Sequence, residues 1–203
     1  MILASLCLGL SPTPPTVVQN FENLMDALFA EELASTGKPH AATPTEVVTD
    51  DGPLRVERVS ASTSGHSWLR ARGVQYAEHP VGALRWQPPV PHRRSSKREV
   101  LEAMSFGPDC VNAPLASRLG TIGTASTSEA CLHLNVFAPD PVSELRPVFV
   151  WVHGGSFIFG GTTAYSGDWI MSTRRDVVIV TVNYRLGARA CRSLNPCAPG
   201  PWP

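Results

Sequence analysis

His153, Gly154, Gly155 and Ser156 follow five consecutive apolar residues, 148–152, and precede Phe157-Ile158-Phe159 and a second glycine pair, Gly160-Gly161. A solvated turn needs neither that many glycines nor three large apolar side chains. The combination calls for backbone at close range in an apolar setting. Three chemistries use glycine this way. A phosphate loop requires Gly-x-x-x-x-Gly-Lys-Ser/Thr, and no lysine follows here. A dinucleotide loop requires Gly-x-Gly-x-x-Gly at a strand end, which Gly154-Gly155-Ser156 does not fit. The third is acyl transfer, in which backbone N–H groups converge on the oxygen that becomes negative. Glycines let the main chain approach without a Cβ, and apolar neighbours keep water from weakening the hydrogen bonds.

The elements that must position such a loop can be read on either side of it. "PVFVWVHG" and "DVVIVTVNY" are nearly unbroken apolar, β-branched runs, the composition of strands covered on both faces of an α/β sheet. Between them, residues 163–175 offer a helix starting near Ser166, with Trp169 and Ile170 turned to the sheet. Strand, glycine loop, helix, strand is an α/β crossover, and the loop falls at the C-terminal end of a central strand, where such sheets place their sites. Earlier, "EVVTDDGPLRVERVSAS" reads as two strands around an Asp-Gly turn, Leu54 and Val56 among the alternating positions, and "SWLRARGVQYA" continues the antiparallel run. "HPVGALRWQPPVPHRR" is an extended surface arm because of its prolines. Residues 20–35 place Phe21, Leu24, Met25, Leu28 and Leu33 on one face at helical spacing, with an acidic polar face that argues against a membrane surface. "TGKPHAATPTE" then reads as a linker. The expected organisation is an extension with one amphipathic helix over 1–43, an α/β body over 44–188, and a separate tail over 189–203.

Composition excludes several classes. The 203 residues are 43% hydrophobic and 17% charged with zero formal net charge, which suits a globular domain and gives no electrostatic case for nucleic acid or anionic membrane. Arg93, Arg94, Lys97 and Arg98 read as a solvated loop. No apolar stretch approaches the roughly 20 residues that span a bilayer. "MILASLCLGL" lacks a preceding basic residue and a small-x-small cleavage pattern, so it makes a poor signal peptide. The five cysteines, Cys7, Cys110, Cys131, Cys191 and Cys197, include no C-x-x-C pair and no histidines at zinc-like spacing, so neither a metal nor a cofactor is expected. Cys110 and Cys131 bracket a segment of small and polar residues. A bridge there would close a loop of about 20 residues and contribute on the order of 3 kcal/mol; two buried free thiols are the other reading. The bridge would favour a secreted or secretory-pathway location.

Five blocks, "GVQYAEHPVGALRWQPP", "SFGPDC", "SEACLHLNVFAPD", "VFVWVHGGSFIFGG" and "DVVIVTVNYRLGA", occur in an order and spacing that resemble the type-B carboxylesterase/lipase family, the cholinesterase-like branch of the α/β-hydrolases. The resemblance covers roughly residues 44–188. It implies the N-terminal portion of an α/β-hydrolase fold, antiparallel strands leading into a central mixed or parallel sheet, and a carboxylic ester as substrate. It implies that Gly155 and Ser156 supply oxyanion-hole N–H groups, with Gly154 giving room for the turn. Serine at 156 departs from the commoner third glycine but keeps its N–H. The resemblance also places Cys110 and Cys131 on the family's first disulfide, and Arg85 and Glu129 on its structural ion pair. Alanine at 130, where aspartate is usual, costs a local hydrogen bond. His153 supports the loop or lines the site, since the family's general base lies far downstream. In cholinesterases an aromatic residue in the first disulfide loop holds the choline cation. No Trp, Tyr or Phe stands between Cys110 and Cys131, so a general carboxylester or lipid ester is the expected substrate class.

Hydrolysis on this fold also needs a Gly-x-Ser-x-Gly nucleophile elbow, then an acid and a histidine in that order. None of the Gly-x-Ser triplets here has glycine two residues after the serine. After Ala188 the chain reads "RACRSLNPCAPGPWP", without periodicity and rich in proline, where the family continues with a hydrophobic run. The tail has the character of an alternative exon, a retained intron or a frame shift, with Cys191 and Cys197 incidental. The expectation is a truncated carboxylesterase chain holding the oxyanion half of the chemistry and no nucleophile, base or acid. The alternatives are a non-catalytic adhesion or binding relative and a nonfunctional truncated product; the intact glycine loop favours the enzyme ancestry.

Overall fold

The strand-forming runs meet in one sheet in which two patterns of pairing join. The computed structural model describes residues 41–61, 65–94, 96–112, 126–141 and 144–190. The helical reading over 20–35 and the tail from 191, with Cys191 and Cys197, lie outside them. β1 (Ala41–Thr49) and β2 (Gly52–Ser60) form an antiparallel hairpin whose two-residue turn is Asp50-Asp51, with Thr49 paired to Gly52. β1 thus begins inside the stretch read as a linker. Its residues are mostly exposed and it forms one border of the sheet, where Pro44 is tolerated because only one side of the strand needs donors.

β3 (Ser67–Gln75) pairs antiparallel with β2, and β7 (His133–Pro139) pairs antiparallel with β3. The register shifts between Ala71 and Val74, and the bulge is held by Asn135, whose Oδ1 accepts the Gly73 N–H at 2.9 Å. β9 (Val178–Val182) lies antiparallel beside β7, and β8 (Val148–Val152) parallel beside β9, giving the order β1-β2-β3-β7-β9-β8. Two-residue β4 (Leu101–Glu102) pairs with β2, and β5 (Asp109–Cys110) with β6 (Thr127–Ser128) in a separate ladder. The proline-rich arm has a single 3₁₀ turn, Gly82–Leu84, and folds back through Ala77 and Pro91.

The crossover from β8 to β9 carries α1 (Asp168–Thr173), shorter than the sequence suggests. Met171 is its buried residue and Ile170 packs beside it, whereas Trp169 stays half-buried. Asp168, at the first turn, fixes the helix instead: its carboxylate accepts the Trp68 Nε1–H at 2.7 Å and an Arg70 N–H. Arg70 and Arg72 share Glu57 on the neighbouring strand. One face of the sheet therefore packs Val59, Trp68, Phe137 and Ile179 against Met171, each large side chain contributing about 1.5–3 kcal/mol by leaving water. The opposite face packs Val56, Ala71 and Ala103 over the antiparallel half.

The parallel half differs from expectation. β8 is the sheet's other border, and its alternate residues Val148, Val150 and Val152 are 60%, 54% and 57% exposed. Its composition suits a strand covered twice, yet only Phe149 and Trp151, which point to the α1 side, are half-buried. Nothing among the described residues covers the outer valines or pairs with the strand's free side.

Cys110 and Cys131 are joined by a disulfide, and both are buried with Ala77, Leu132 and Leu186. With a sequence separation of 21, the bond removes loop entropy from the unfolded chain. Reduction should lower the unfolding free energy by about 3 kcal/mol. Peptide mapping after thiol labelling should find Cys110 and Cys131 protected until reductant is added. Free labelling of both in oxidised, folded protein would contradict the bridge.

Candidate functional site: the glycine loop after β8

β8 delivers the chain to His153, and the next eight residues double back without regular structure. Gly155 takes φ +121° and the following Ser156 and Phe157 take +53° and +60°. Left-handed backbone at two successive non-glycine residues is costly and persists only where the surroundings hold it. Here the Gly155 carbonyl accepts the N–H groups of Ile158 and Phe159, at 3.0 and 3.1 Å, closing the turn on itself. A Cβ at Gly155 would overlap the Phe159 carbonyl, lying 2.7 Å from its carbon, whereas a Cβ at Gly154 would meet nothing within 4 Å. The close approach falls on Gly155.

The turn leaves the N–H groups of Gly155 and Ser156 without an acceptor among the described residues. The N–H groups of Gly154, Phe157 and Gly161 likewise have no acceptor among the described residues; those of Gly155 and Ser156 are the ones set on the left-handed turn. Phe157 and Ile158 are 72% and 42% exposed, so the apolar neighbours expected to exclude water face outward here.

Two segments, 183–187 and the one around Cys110, hold the loop. His153 is buried, and its ring stacks on Tyr184 at a centroid distance of 4.4 Å while Gly160 lies against its other side. The Tyr184 hydroxyl donates to the His153 carbonyl at 2.6 Å, and the Gly187 N–H donates to the Phe157 carbonyl at 2.6 Å. Asn183 accepts the Thr162 N–H at 2.9 Å and donates to the Pro108 carbonyl at 3.1 Å. From the disulfide segment, Asn112 Oδ1 accepts the Gly160 N–H at 3.0 Å, and buried Asp109 accepts from the Thr163 N–H and hydroxyl. The roles of Asp109, Asn112, Asn183 and Tyr184 were not read from the sequence. Asp109 lies in "SFGPDC", Asn183 and Tyr184 in "VNYRLG", and Asn112 two residues past Cys110, but a polar side chain that caps a distant loop has no spacing signal.

Arg85 and Glu129 meet at 2.6 Å, and Arg189 reaches the same carboxylate at 2.9 Å. Hydrogen bonds first from Arg189 and then from Arg85 lower the Glu129 pKa below its ordinary 4.5. Trp86 Nε1 donates to the Ala188 carbonyl at 3.0 Å, and Arg185 to that of Gln87 at 2.8 Å. These contacts tie the arm to the 185–189 segment that holds Phe157. Neither these residues nor the disulfide sulfurs touch Gly155 or Ser156; they act on the support.

A mixed sheet with a glycine loop after a parallel strand, an α1 crossover and an antiparallel entry defines a partial α/β-hydrolase domain. The chain belongs to the carboxylesterase family, whose model it matches over residues 43–191. It is 32% identical to carboxylesterase 1E of Mus musculus over 175 residues, which cover 80% of this chain and 31% of that protein. It is 38% identical to the para-nitrobenzyl esterase of Bacillus subtilis over 124 residues, 60% of this chain and 24% of that one. Among solved structures, a Geobacillus stearothermophilus carboxylesterase superposes with a TM-score of 0.57 at 35% identity, covering 71% of this chain and 27% of that one. The chain thus spans roughly a third or less of the length of these relatives.

Burial lowers the pKa of His153 below its ordinary 6.5, an effect opposed in part by its backbone hydrogen bond to Gly154 and by Asp109. Burial and then His79 lower that of His133 in the same direction. A histidine held neutral in the fold takes up its proton more readily when unfolded. The stability it confers is complete above pH 6.5 and is lost as the pH falls from there through the lowered folded values. Unfolding free energy should therefore decline from pH 7 to pH 5, with a limiting slope of about 1.4 kcal/mol per pH unit for each proton taken up. His153→Gln should flatten that slope. Urea titrations at stepped pH check this, and an unchanged slope in the variant would contradict a neutral His153.

Proposed function

We propose that this chain carries the oxyanion-stabilising part of a serine carboxylic ester hydrolase, with Gly155 and Ser156 donating their backbone N–H groups and Gly154 leading into the turn. When a nucleophile attacks an ester carbonyl, the carbonyl electron pair moves onto oxygen, and donors already aimed there stabilise the negative charge without reorganising. The observation that carries the reading is the pair of unpaired amides at Gly155 and Ser156, held on a strained turn within a chain of the carboxylesterase family. The substrate class is a small-molecule or lipid carboxylic ester. The disulfide suits an oxidising compartment and supports assignment to the secretory pathway. Arg85 and Glu129, with the Cys110–Cys131 bond, belong to the support of the loop.

The nucleophile has no candidate among these 203 residues, since no serine lies in a Gly-x-Ser-x-Gly setting. Donors without an attacking oxygen leave only a small residual rate, because losing the nucleophile costs about a million-fold. The 203-residue chain alone should neither turn over p-nitrophenyl esters nor react with a fluorophosphonate. Joined after Gly187 to the remaining part of a full-length relative, it should do both. In that chimera, replacing the Gly155 or Ser156 peptide N–H by an ester oxygen through semisynthesis deletes the donor and leaves the turn intact. Each deletion should lower kcat by about 10²–10³-fold with little change in KM. Stoichiometric labelling of one serine in the isolated chain, or full kcat in both ester-substituted chimeras, would overturn the reading.

A further inference from the structure

The two side chains that cap the far end of the glycine loop both flank Cys110. Asp109, one residue before it, is 2% exposed and takes the hydroxyl and N–H of Thr163. Asn112, two residues after it, takes the Gly160 N–H at 3.0 Å. Asp109 has no room to be displaced, because a Cβ at Gly161 would overlap its carboxylate; Gly160, the donor to Asn112, is itself closely packed, since a Cβ there would lie 2.6 Å from the Gly154 carbonyl oxygen and overlap the His153 ring. The segment bearing them has little secondary structure to hold it. β5 is a two-residue ladder with β6, supported by the Asp109 N–H to the Ser126 carbonyl and by the Asn183 side chain to the Pro108 carbonyl, both at 3.1 Å. Its covalent anchor is the disulfide to Cys131, at the foot of β7.

Gly160 in turn sets the rest of the loop. Its backbone abuts the His153 ring and the Gly154 carbonyl, the two groups that fix how the chain enters Gly155. Resting on the proposed role of the Gly155 and Ser156 amides, we propose that Asn112 is a positioning residue for them, and that the Cys110–Cys131 disulfide acts on the site by fixing Asn112. The bond would then do more than raise global stability: reducing it, by a dithiol that is itself oxidised as the two cysteines take up two electrons and two protons, would loosen the loop while the sheet stands.

The test uses the 203-residue chain and needs no ester, so it can fail or succeed independently of the esterase reading. Amide exchange and ¹⁵N chemical shifts are followed at Gly155, Ser156 and Gly160, with Val136 and Val180 reporting on β7 and β9. Asn112→Leu should speed exchange at Gly160 by several-fold to about tenfold, the range for one lost hydrogen bond, and shift the Gly155 and Ser156 resonances, with the strand amides unchanged. Asn112→Asp keeps the acceptor and should restore both. Mild reduction should reproduce the Gly155 and Ser156 shifts and the faster Gly160 exchange, with Val136 and Val180 keeping their chemical shifts while their exchange speeds only in proportion to the global stability lost with the bridge. The proposal is overturned if Gly160 exchanges at its original rate in Asn112→Leu, if reduction leaves the three loop amides unmoved, or if Asn112→Asp behaves as Asn112→Leu. Should Asn112→Leu unfold the sheet, Asn112→Ala is read the same way. Collapse of the strand amides in both would also overturn the proposal, making Asn112 a residue of global stability.

Discussion

Space, more than any single bond, governs this site. Between His153 and Thr163 the main chain passes other atoms too closely for a side chain at three positions: Gly155 against the Phe159 carbonyl, Gly160 against His153, and Gly161 against Asp109. Because the chain cannot spread, its amides must turn to whatever acceptor lies within reach. Those of Ile158 and Phe159 find the Gly155 carbonyl, those of Gly160, Thr162 and Thr163 find Asn112, Asn183 and Asp109, and those of Gly155 and Ser156 find none. Gly154, Phe157 and Gly161 also lack an acceptor among the described residues, and what sets the Gly155 and Ser156 donors apart is the left-handed turn that fixes their direction. That is how a folded chain can hold unpaired N–H groups in a fixed direction, which is the requirement for stabilising charge that forms only in a transition state.

The support is distributed over the fold. β8 and β9 set where the loop starts and where Asn183 and Tyr184 stand, since the parallel register places Val152 beside Val182. The disulfide segment approaches from below, and the proline-rich arm braces the 185–189 segment through Arg85, Trp86 and Gln87. Within the body, Asp168 locks the crossover helix to Trp68 and Arg70, so the chain leaving the loop is anchored as firmly as the chain entering it. The outer side of β8 has no such support. Its valines are open and no strand among the described residues pairs with its outer edge, the kind of surface that proteins ordinarily pair or cover.

Much of this was legible in residue order. The hairpin, the antiparallel entry, the crossover and the glycine loop all carry local signals, such as alternation and unbroken β-branched runs, although the hairpin turns at Asp50-Asp51 and not at the Asp-Gly pair, Gly52 opening β2. The signals misled where composition stood in for environment. "VFVWV" reads as a strand covered on both faces because every residue is apolar, but burial depends on neighbours, and among the described residues β8 pairs with β9 alone. Helical spacing turns Trp169 and Ile170 to the sheet; Ile170 packs there, but the buried residue is Met171, and Asp168 fixes the helix to Trp68, 100 residues away. Asn112 and Asp109 were unreadable for the same reason: capping a loop 48 and 54 residues downstream leaves no periodicity.

The account turns on the claim that close approach at Gly155, and not glycine content as such, shapes the loop. Comparing Gly154→Ala with Gly155→Ala by urea denaturation tests it directly, because the two positions are adjacent and the substitution is identical. Gly154→Ala meets open space and should stay within about 0.5 kcal/mol of the parent. Gly155→Ala must give up both a left-handed conformation and the Phe159 contact, and should lose on the order of 1–3 kcal/mol or more. Equal stability of the two variants, or a larger loss at Gly154, would contradict the account.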